Sequence, residues 1–234
     1  MISNELDLSA WRRELSARQR VLVSDYLQPD AAQALEACLV NDVPWTLALR
    51  DAAGPRTIGH GENQQQTPEA TARLLADTAN SARGGAFRFA YDSYMMVTAY
   101  QQQRDPGLLL HRLLEFFNSP EHIAFARALT GDPRIRRINA QATRYRPGHF
   151  LRYHDDENVE EGRLYAYVLN LSRDWKADWG GLLQFIDDEG MVTGTFLPRW
   201  NTLSLFAVPA GHAVSMVMPW ADRDRLAVTG WYLA

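Results

Sequence analysis

His154 and Asp156 stand one residue apart at the end of a strand-like run, 149–154, and His212 follows far downstream behind the turn signal Pro209-Ala-Gly. In a strand, residues i and i+2 point to the same face, so the imidazole and the carboxylate can aim at one point. His212, opening the run 212–218, supplies a third ligand from a neighbouring strand. Two histidines and one carboxylate suit non-haem Fe(II), because they hold one side of the ion and leave the other open for oxygen chemistry. The chain therefore reads as an enzyme, with His154, Asp156 and His212 as both catalytic and metal-binding residues.

Such a centre needs a cosubstrate, and the cosubstrate needs an anchor. Arg225 opens the apolar run 226–233. A guanidinium on the inner face of a strand binds a carboxylate through paired hydrogen bonds, and a buried Arg needs an anionic partner. Thr229, four residues on, shares that face and adds a hydroxyl donor; Trp231 shares it too and would wall the pocket. Arg223 competes with Arg225 for the anchor role. His149 has the opposite parity to His154 and reads as structural or as part of the rim. His60, His111 and His122 lack a partner pattern and read as surface or helix residues. Asp155 and Glu157 read as a solvated acidic turn, and Arg146 and Arg152 as solvated surface. Tyr165 and Tyr167 fall opposite Asn170 by parity and read as outer-sheet packing.

These residues need a frame of strands. From residue 135 onward, strand-like runs recur at 135–145, 149–154, 163–171, 182–187, 191–197, 202–208, 212–218 and 226–233, separated by Gly, Pro, Asp and Asn. Many short strands at close spacing predict a sandwich or barrel. The first half reads differently. Helices are predicted at 5–20, from Pro29, at 68–80, at 107–119 and at 120–130, with one strand at 43–49 and an exposed loop at 51–67. No repeat or Pro/Ser linker divides the chain. The expectation is one domain, 1–234: a helix-rich support over 1–133 and a β core over 134–234.

The chain has 234 residues, 46% apolar and 22% charged, which is ordinary for a soluble globular protein with a sizeable core. A net charge of -4 argues against a generic nucleic-acid binder. Cys38 stands alone, so no intrachain disulfide and no cysteine-rich zinc site can form, which fits a reducing compartment. The N-terminus does not read as a signal peptide and no apolar run is long enough for a bilayer, so the expected location is cytoplasmic, with no membrane partner.

Four segments occur in an order that resembles the Fe(II)/2-oxoglutarate-dependent oxygenases, most of all their prolyl 4-hydroxylase-like branch. They are Tyr145-Arg-Pro-Gly148 leading into His154-Asp-Asp156; Leu169-Asn-Leu-Ser-Arg-Asp-Trp175 followed by Gly180-Gly-Leu-Leu-Gln-Phe185; Gly211-His212 with Val214; and Arg225-Leu-Ala-Val-Thr-Gly-Trp231. The resemblance spans roughly 134–233. It implies a mainly β fold with helical support (α+β), a double-stranded β-helix or jelly roll with N-terminal helices packed on one sheet. It implies Fe(II), with 2-oxoglutarate and O2 as cosubstrates and ascorbate as an accessory reductant. It implies that Tyr145 reaches toward the cosubstrate and that Arg225 binds its far carboxylate. Where many relatives place a Tyr, this chain has Asn170, whose amide can donate to the carboxylate from shorter range.

The activity implied is hydroxylation of an unactivated C–H bond, on a prolyl residue of a protein or peptide, with release of succinate and CO2. A hydroxylase of a free amino acid or another small molecule is the alternative. A silent jelly-roll module that binds 2-oxoglutarate or metal is a second, and a cupin-type metal enzyme without 2-oxoglutarate a third. Halogenation is disfavoured, because Asp156 supplies the carboxylate that a halide would have to replace. Loops 51–67 and 157–162 are the expected substrate cover, and oligomeric state is not legible.

Overall fold

The computed structural model describes residues 1–3 and 6–234. Its helices all precede the β-rich half: α1 (Leu8–Arg18), α2 (Pro29–Asn41), α3 (His60–Gln65), α4 (Pro68–Asn80), α5 (Met96–Gln101), α6 (Leu109–Phe117) and α7 (Pro120–Thr130). The helix expected at 5–20 begins at Leu8 after the cap Asp7; Glu5 lies outside the described residues. Proline opens α2, α4 and α7, where a missing N–H costs nothing, and Thr67 and Ser119 cap the latter two through their side-chain oxygens. Gly131, in the left-handed region, ends α7.

The strands are β1 (Arg20–Val23), β2 (Thr46–Asp51), β3 (Gly54–Ile58), β4 (Phe89–Tyr94), β5 (Arg137–Ile138), β6 (Gln141–Tyr145), β7 (Phe150–His154), β8 (Arg163–Asn170), β9 (Leu183–Ile186), β10 (Val192–Phe196), β11 (Thr202–Ala207), β12 (His212–Val214) and β13 (Arg225–Leu233). They form one antiparallel sheet in the order β1-β11-β8-β13-β6-β4-β7-β12-β9-β10, folded over on itself as a nearly closed jelly roll. Phe185 on β9 meets Phe206 on β11 edge-on across the interior, ring centroids 5.2 Å apart. The expected fold class is therefore observed.

The division at residue 133 is less sharp than the sequence predicts. Four strands from the first half join the sheet. β1 extends its edge beyond β11, and β4 bridges its two halves, pairing with β6 at Asp92↔Arg144 and with β7 at Phe89↔Leu151. The expected loop 51–67 is instead the far strand of the β2–β3 hairpin followed by α3. The run 135–145 is two strands, β5 and β6, and only three residues of 212–218 are strand.

Helices cover one face of the sheet. Leu35 and Leu39 of α2, Leu110, Leu113 and Phe117 of α6 and Leu129 of α7 bury against Leu169, Leu203, Leu205 and Val228. Each such side chain contributes about 1.5–3 kcal/mol when removed from water. A smaller cluster, Leu47, Leu49, Ile58, Leu75, Ala90 and Phe150, seats α4 over β2 and β4. Tyr167 packs into the helix-covered face against Phe117 and Tyr232, as its parity predicts.

His122, expected as a surface or helix residue, is a helix residue of α7 that is fully buried, bonded to the Tyr26 hydroxyl at 2.7 Å and to the Phe117 carbonyl at 3.1 Å. His149 is equally buried and braces the turn after β6 through the Arg144 carbonyl. Burial pushes both imidazoles down to about 4. The unfolded chain protonates them near pH 6.5, the folded chain only near 4. Their contribution is therefore complete above pH 6.5 and is lost as pH falls toward 4, by roughly 3 kcal/mol each. Urea unfolding of the metal-free protein is expected to show this decline between pH 7 and 5; an unchanged midpoint would contradict it.

Candidate active site

β7 ends at His154, so the strand does not carry Asp156 to the site; a turn does. Asp156 has φ +63°, a left-handed conformation that Asp tolerates better than most residues. Arg163, heading β8, donates to the Asp156 carbonyl oxygen at 3.2 Å and approaches its carboxylate at 3.7 Å. The Asp155 carboxylate accepts from the Glu157 amide, closing the turn, and both acids are exposed as expected.

His212 lies opposite His154 in the β12–β7 register. Each ring's Nδ1 faces a backbone carbonyl, Arg152 O at 2.9 Å and Ala210 O at 2.7 Å. Nδ1 therefore carries the proton and Nε2 is left with its lone pair. The Nε2 atoms stand 3.4 and 3.5 Å from the two Asp156 oxygens, and the three ligating atoms lie within 4.8 Å of one another. Two neutral imidazoles and a carboxylate converging from one side fit Fe(II).

The protonation states agree. Burial, reinforced by His154, drives the His212 imidazole down to about 4 and keeps it neutral. Burial pushes the Asp156 carboxyl up, but the adjoining His154 and His212 and the Trp231 N–H outweigh that, and the net shift is downward.

A cavity of about 370 Å³ runs inward from the triad to Arg225. Arg225 opens β13 opposite Tyr145 of β6 and is 2% exposed. Its guanidinium carbon sits 4.9 Å from the Tyr145 ring centroid, and its Nε has no hydrogen-bond partner. Burial pushes its pKa down, with only Tyr145 opposing. A buried cation lacking an anion is costly, so this end of the cavity would suit an anionic group. Thr229 lines the wall between Arg225 and the triad, and Trp231 lines it beyond.

Arg223, the competing anchor, is half exposed and pairs with Asp174. Glycines 180 and 181 fold over the Arg225 end with positive φ. A Cβ at Gly180 would lie 1.9 Å from the Met216 carbonyl oxygen, and one at Gly181 3.1 Å from Arg225 Cδ, so any side chain would displace the Met216 backbone or Arg225.

Asn170 takes other company. It does not line the cavity; its amide nitrogen faces Ser204 Oγ at 3.2 Å and Thr202 Oγ1 at 3.4 Å on β11. Arg146 and Arg152 are not free surface cations either. Arg144 and Arg146 both grip buried Asp92, each at 2.8 Å, and Arg152 donates to Ala82 O at 2.7 Å.

Sequence reasoning missed the β4 wall. Phe87, Phe89 and Tyr91 form an aromatic ladder, with centroids 5.7 and 5.4 Å apart, from the His154 ring to Tyr91, which stacks on Tyr145 at 5.2 Å. Three aromatics at period two were the available strand signal. Gln141 and Thr143, inward from β6, complete this wall, and none of 51–67 lines the cavity.

A jelly roll with a convergent His-Asp-His group at the mouth of such a cavity is an arrangement that could hold a metal ion with one side left open. Residues 140–233 match the family model of the 2OG-Fe(II) oxygenase superfamily, and the chain is similar to that superfamily over this stretch. It is 38% identical over 86 residues to the prolyl 3-hydroxylase OGFOD1 of Xenopus laevis, covering 34% of this chain and 16% of that protein. The mouse protein of the same name is 34% identical over 102 residues, covering 41% of this chain and 18% of its own length. The chain thus spans less than a fifth of these curated relatives.

Among solved structures, a Pseudomonas putida prolyl-4-hydroxylase superposes with TM-score 0.60 at 19% identity, over 97% of this chain and 98% of its own. A prolyl hydroxylase of Trichoplax adhaerens, in complex with a hypoxia inducible factor oxygen degradation domain peptide fragment, gives 0.59 at 15% identity, over 99% and 94%. Among the described residues, no helix is long and apolar enough to cross a membrane.

Proposed function

We propose that this chain is an Fe(II)- and 2-oxoglutarate-dependent dioxygenase that hydroxylates a prolyl residue of a protein or peptide. One observation carries the reading: three convergent ligands and an anion-less buried Arg225 occupy the two ends of one cavity. Iron, 2-oxoglutarate and O2 would supply oxidation of an unactivated C–H bond, releasing succinate and CO2.

The chain's residues do the rest. His154, Asp156 and His212 hold the metal. Arg225 and Thr229 hold the far carboxylate, and Tyr145, kept a neutral phenol by burial, donates beside it. The Phe87–Phe89–Tyr91 ladder excludes water along one wall. Asn170, spent on β11, is assigned to the sheet rather than to the cosubstrate. The prolyl substrate is supported by the names of the relatives, a cytoplasmic site by the single free, buried Cys38, and ascorbate by its ordinary use in keeping such iron ferrous.

The test is succinate release from 2-oxoglutarate with Fe(II) and ascorbate present, in the wild type and in His154→Ala, together with one added oxygen on a Pro-containing peptide. Iron-dependent turnover is expected in the wild type alone. No iron-dependent turnover would favour the silent binding module.

A further inference from the structure

A second concavity, about 930 Å³, opens beside the metal cavity, and the two share Tyr91, Gln141, Arg163 and Trp231. The partition is thin. Arg163 lies 3.6 Å over the Trp231 ring, and the same Arg163 holds the Asp156 carbonyl. From there the groove runs over Ile138 and Leu114 to Met95 and Tyr100, which are 51% and 42% exposed. Large apolar side chains left open in a concavity that begins at Arg163, beside the candidate ligand Asp156, mark a binding surface.

Its charges are set apart. Glu161 pairs with Arg163 at 2.9 Å, and Glu115 accepts the Tyr100 hydroxyl at 2.8 Å. Arg137 lines the groove and, among the described residues, has no side-chain hydrogen bond or ion pair with the rest of the chain.

Resting on the dioxygenase reading, we propose that this groove holds an extended segment of the substrate polypeptide flanking the hydroxylated residue. Its apolar side chains lie over Met95, Tyr100 and Leu114, and an acidic side chain meets Arg137. The groove is far larger than a free amino acid needs, and only the shared wall of Tyr91, Gln141, Arg163 and Trp231 separates it from the metal cavity, on the side of Asp156. A groove of this length is a place for a chain, not for a single small molecule.

The experiment uses Pro-centred 13-residue peptides, each carrying Glu or Lys at one flanking position, read by oxygen addition and by fluorescence anisotropy of labelled copies on the metal-free protein. In at least one register Glu is expected to outbind Lys about fivefold. Arg137→Glu is expected to reverse that preference. Met95→Glu is expected to raise the peptide KM about tenfold, by setting a charge under an apolar segment, while KM for 2-oxoglutarate stays unchanged.

Peptide turnover indifferent to both variants overturns the groove, as does free proline outcompeting every peptide, or failure of any peptide to bind. Self-association that Met95→Glu abolishes would assign the surface to a second copy of this chain and likewise overturn it. Arg137-dependent peptide binding without any 2-oxoglutarate turnover would sink the dioxygenase reading and leave the groove standing.

Discussion

Asp156→Asn is expected to abolish Fe(II) retention and to lower iron-dependent succinate formation by about 10³-fold or more, since each 1.4 kcal/mol of lost metal stabilisation is a factor of ten. The substitution isolates the ligand from the fold. Asp156 sits at φ +63°, and Asn is the residue that best shares Asp's tolerance of that conformation, whereas Ala would add backbone strain. Asn also keeps the shape that Arg163 packs beside, and the Asp156 carbonyl that Arg163 grips is untouched. What disappears is the anionic carboxylate whose two oxygens stand 3.4 and 3.5 Å from the His154 and His212 imidazoles. Anaerobic Fe(II) titration, with thermal unfolding as a control, reads both parts. Wild-type iron affinity in Asp156→Asn would remove Asp156 from the ligand set.

The second large effect is at Arg225, and it has two opposite signs. Arg225→Met is expected to raise KM for 2-oxoglutarate about 10²–10³-fold, the effect of losing one partner of a buried charge pair. In the ligand-free protein the same change is expected to leave the thermal midpoint unchanged or raise it, because it removes a buried cation whose Nε has no partner. Addition of 2-oxoglutarate with a redox-inert divalent metal should stabilise the wild type and leave Arg225→Met unmoved. Arg225→Lys retains the charge but not the planar fork, so it should recover little of the affinity. A ligand-free Arg225→Met that unfolds well below the wild type, or one that still responds to 2-oxoglutarate, would mean that Arg225 is a packing residue and the anchor lies elsewhere.

The candidate metal ligands and the candidate anchor could be proposed from the sequence because each rests on residue type and local order. His154-Asp-Asp156 lies at the end of a strand-like run, His212 follows a Pro-Ala-Gly turn, and Arg225 stands at the head of an apolar run, where a charge is set up for burial. Strands β8, β9, β10, β11 and β13 were read within two residues because Gly, Pro and Asn punctuate them. β4 was overlooked because its aromatics follow the Gly84-Gly85 break and precede Met95-Met96 without a clear turn, so the segment lacks sequence boundaries. The hairpin at β2–β3 was read as loop for a related reason: its outer strand, Gly54–Ile58, is mostly exposed and polar, and its strand character comes from pairing with β2.

The sequence by itself determined which side chains can bind a metal and a carboxylate, and that a sheet must carry them, since those properties follow from residue chemistry and from period two. Tertiary structure alone decided the distances and the company. It turned Asp156 inward by a left-handed turn rather than by strand alternation, and it placed β4 between β6 and β7, so that Tyr91 stacks on Tyr145. It gave Arg144 and Arg146 a buried partner in Asp92, and it turned Asn170 toward β11. The physical reason is the same in each case. These contacts join residues tens to more than fifty positions apart, or depend on one dihedral angle, and local pattern fixes neither; burial of the two faces of one folded sheet does.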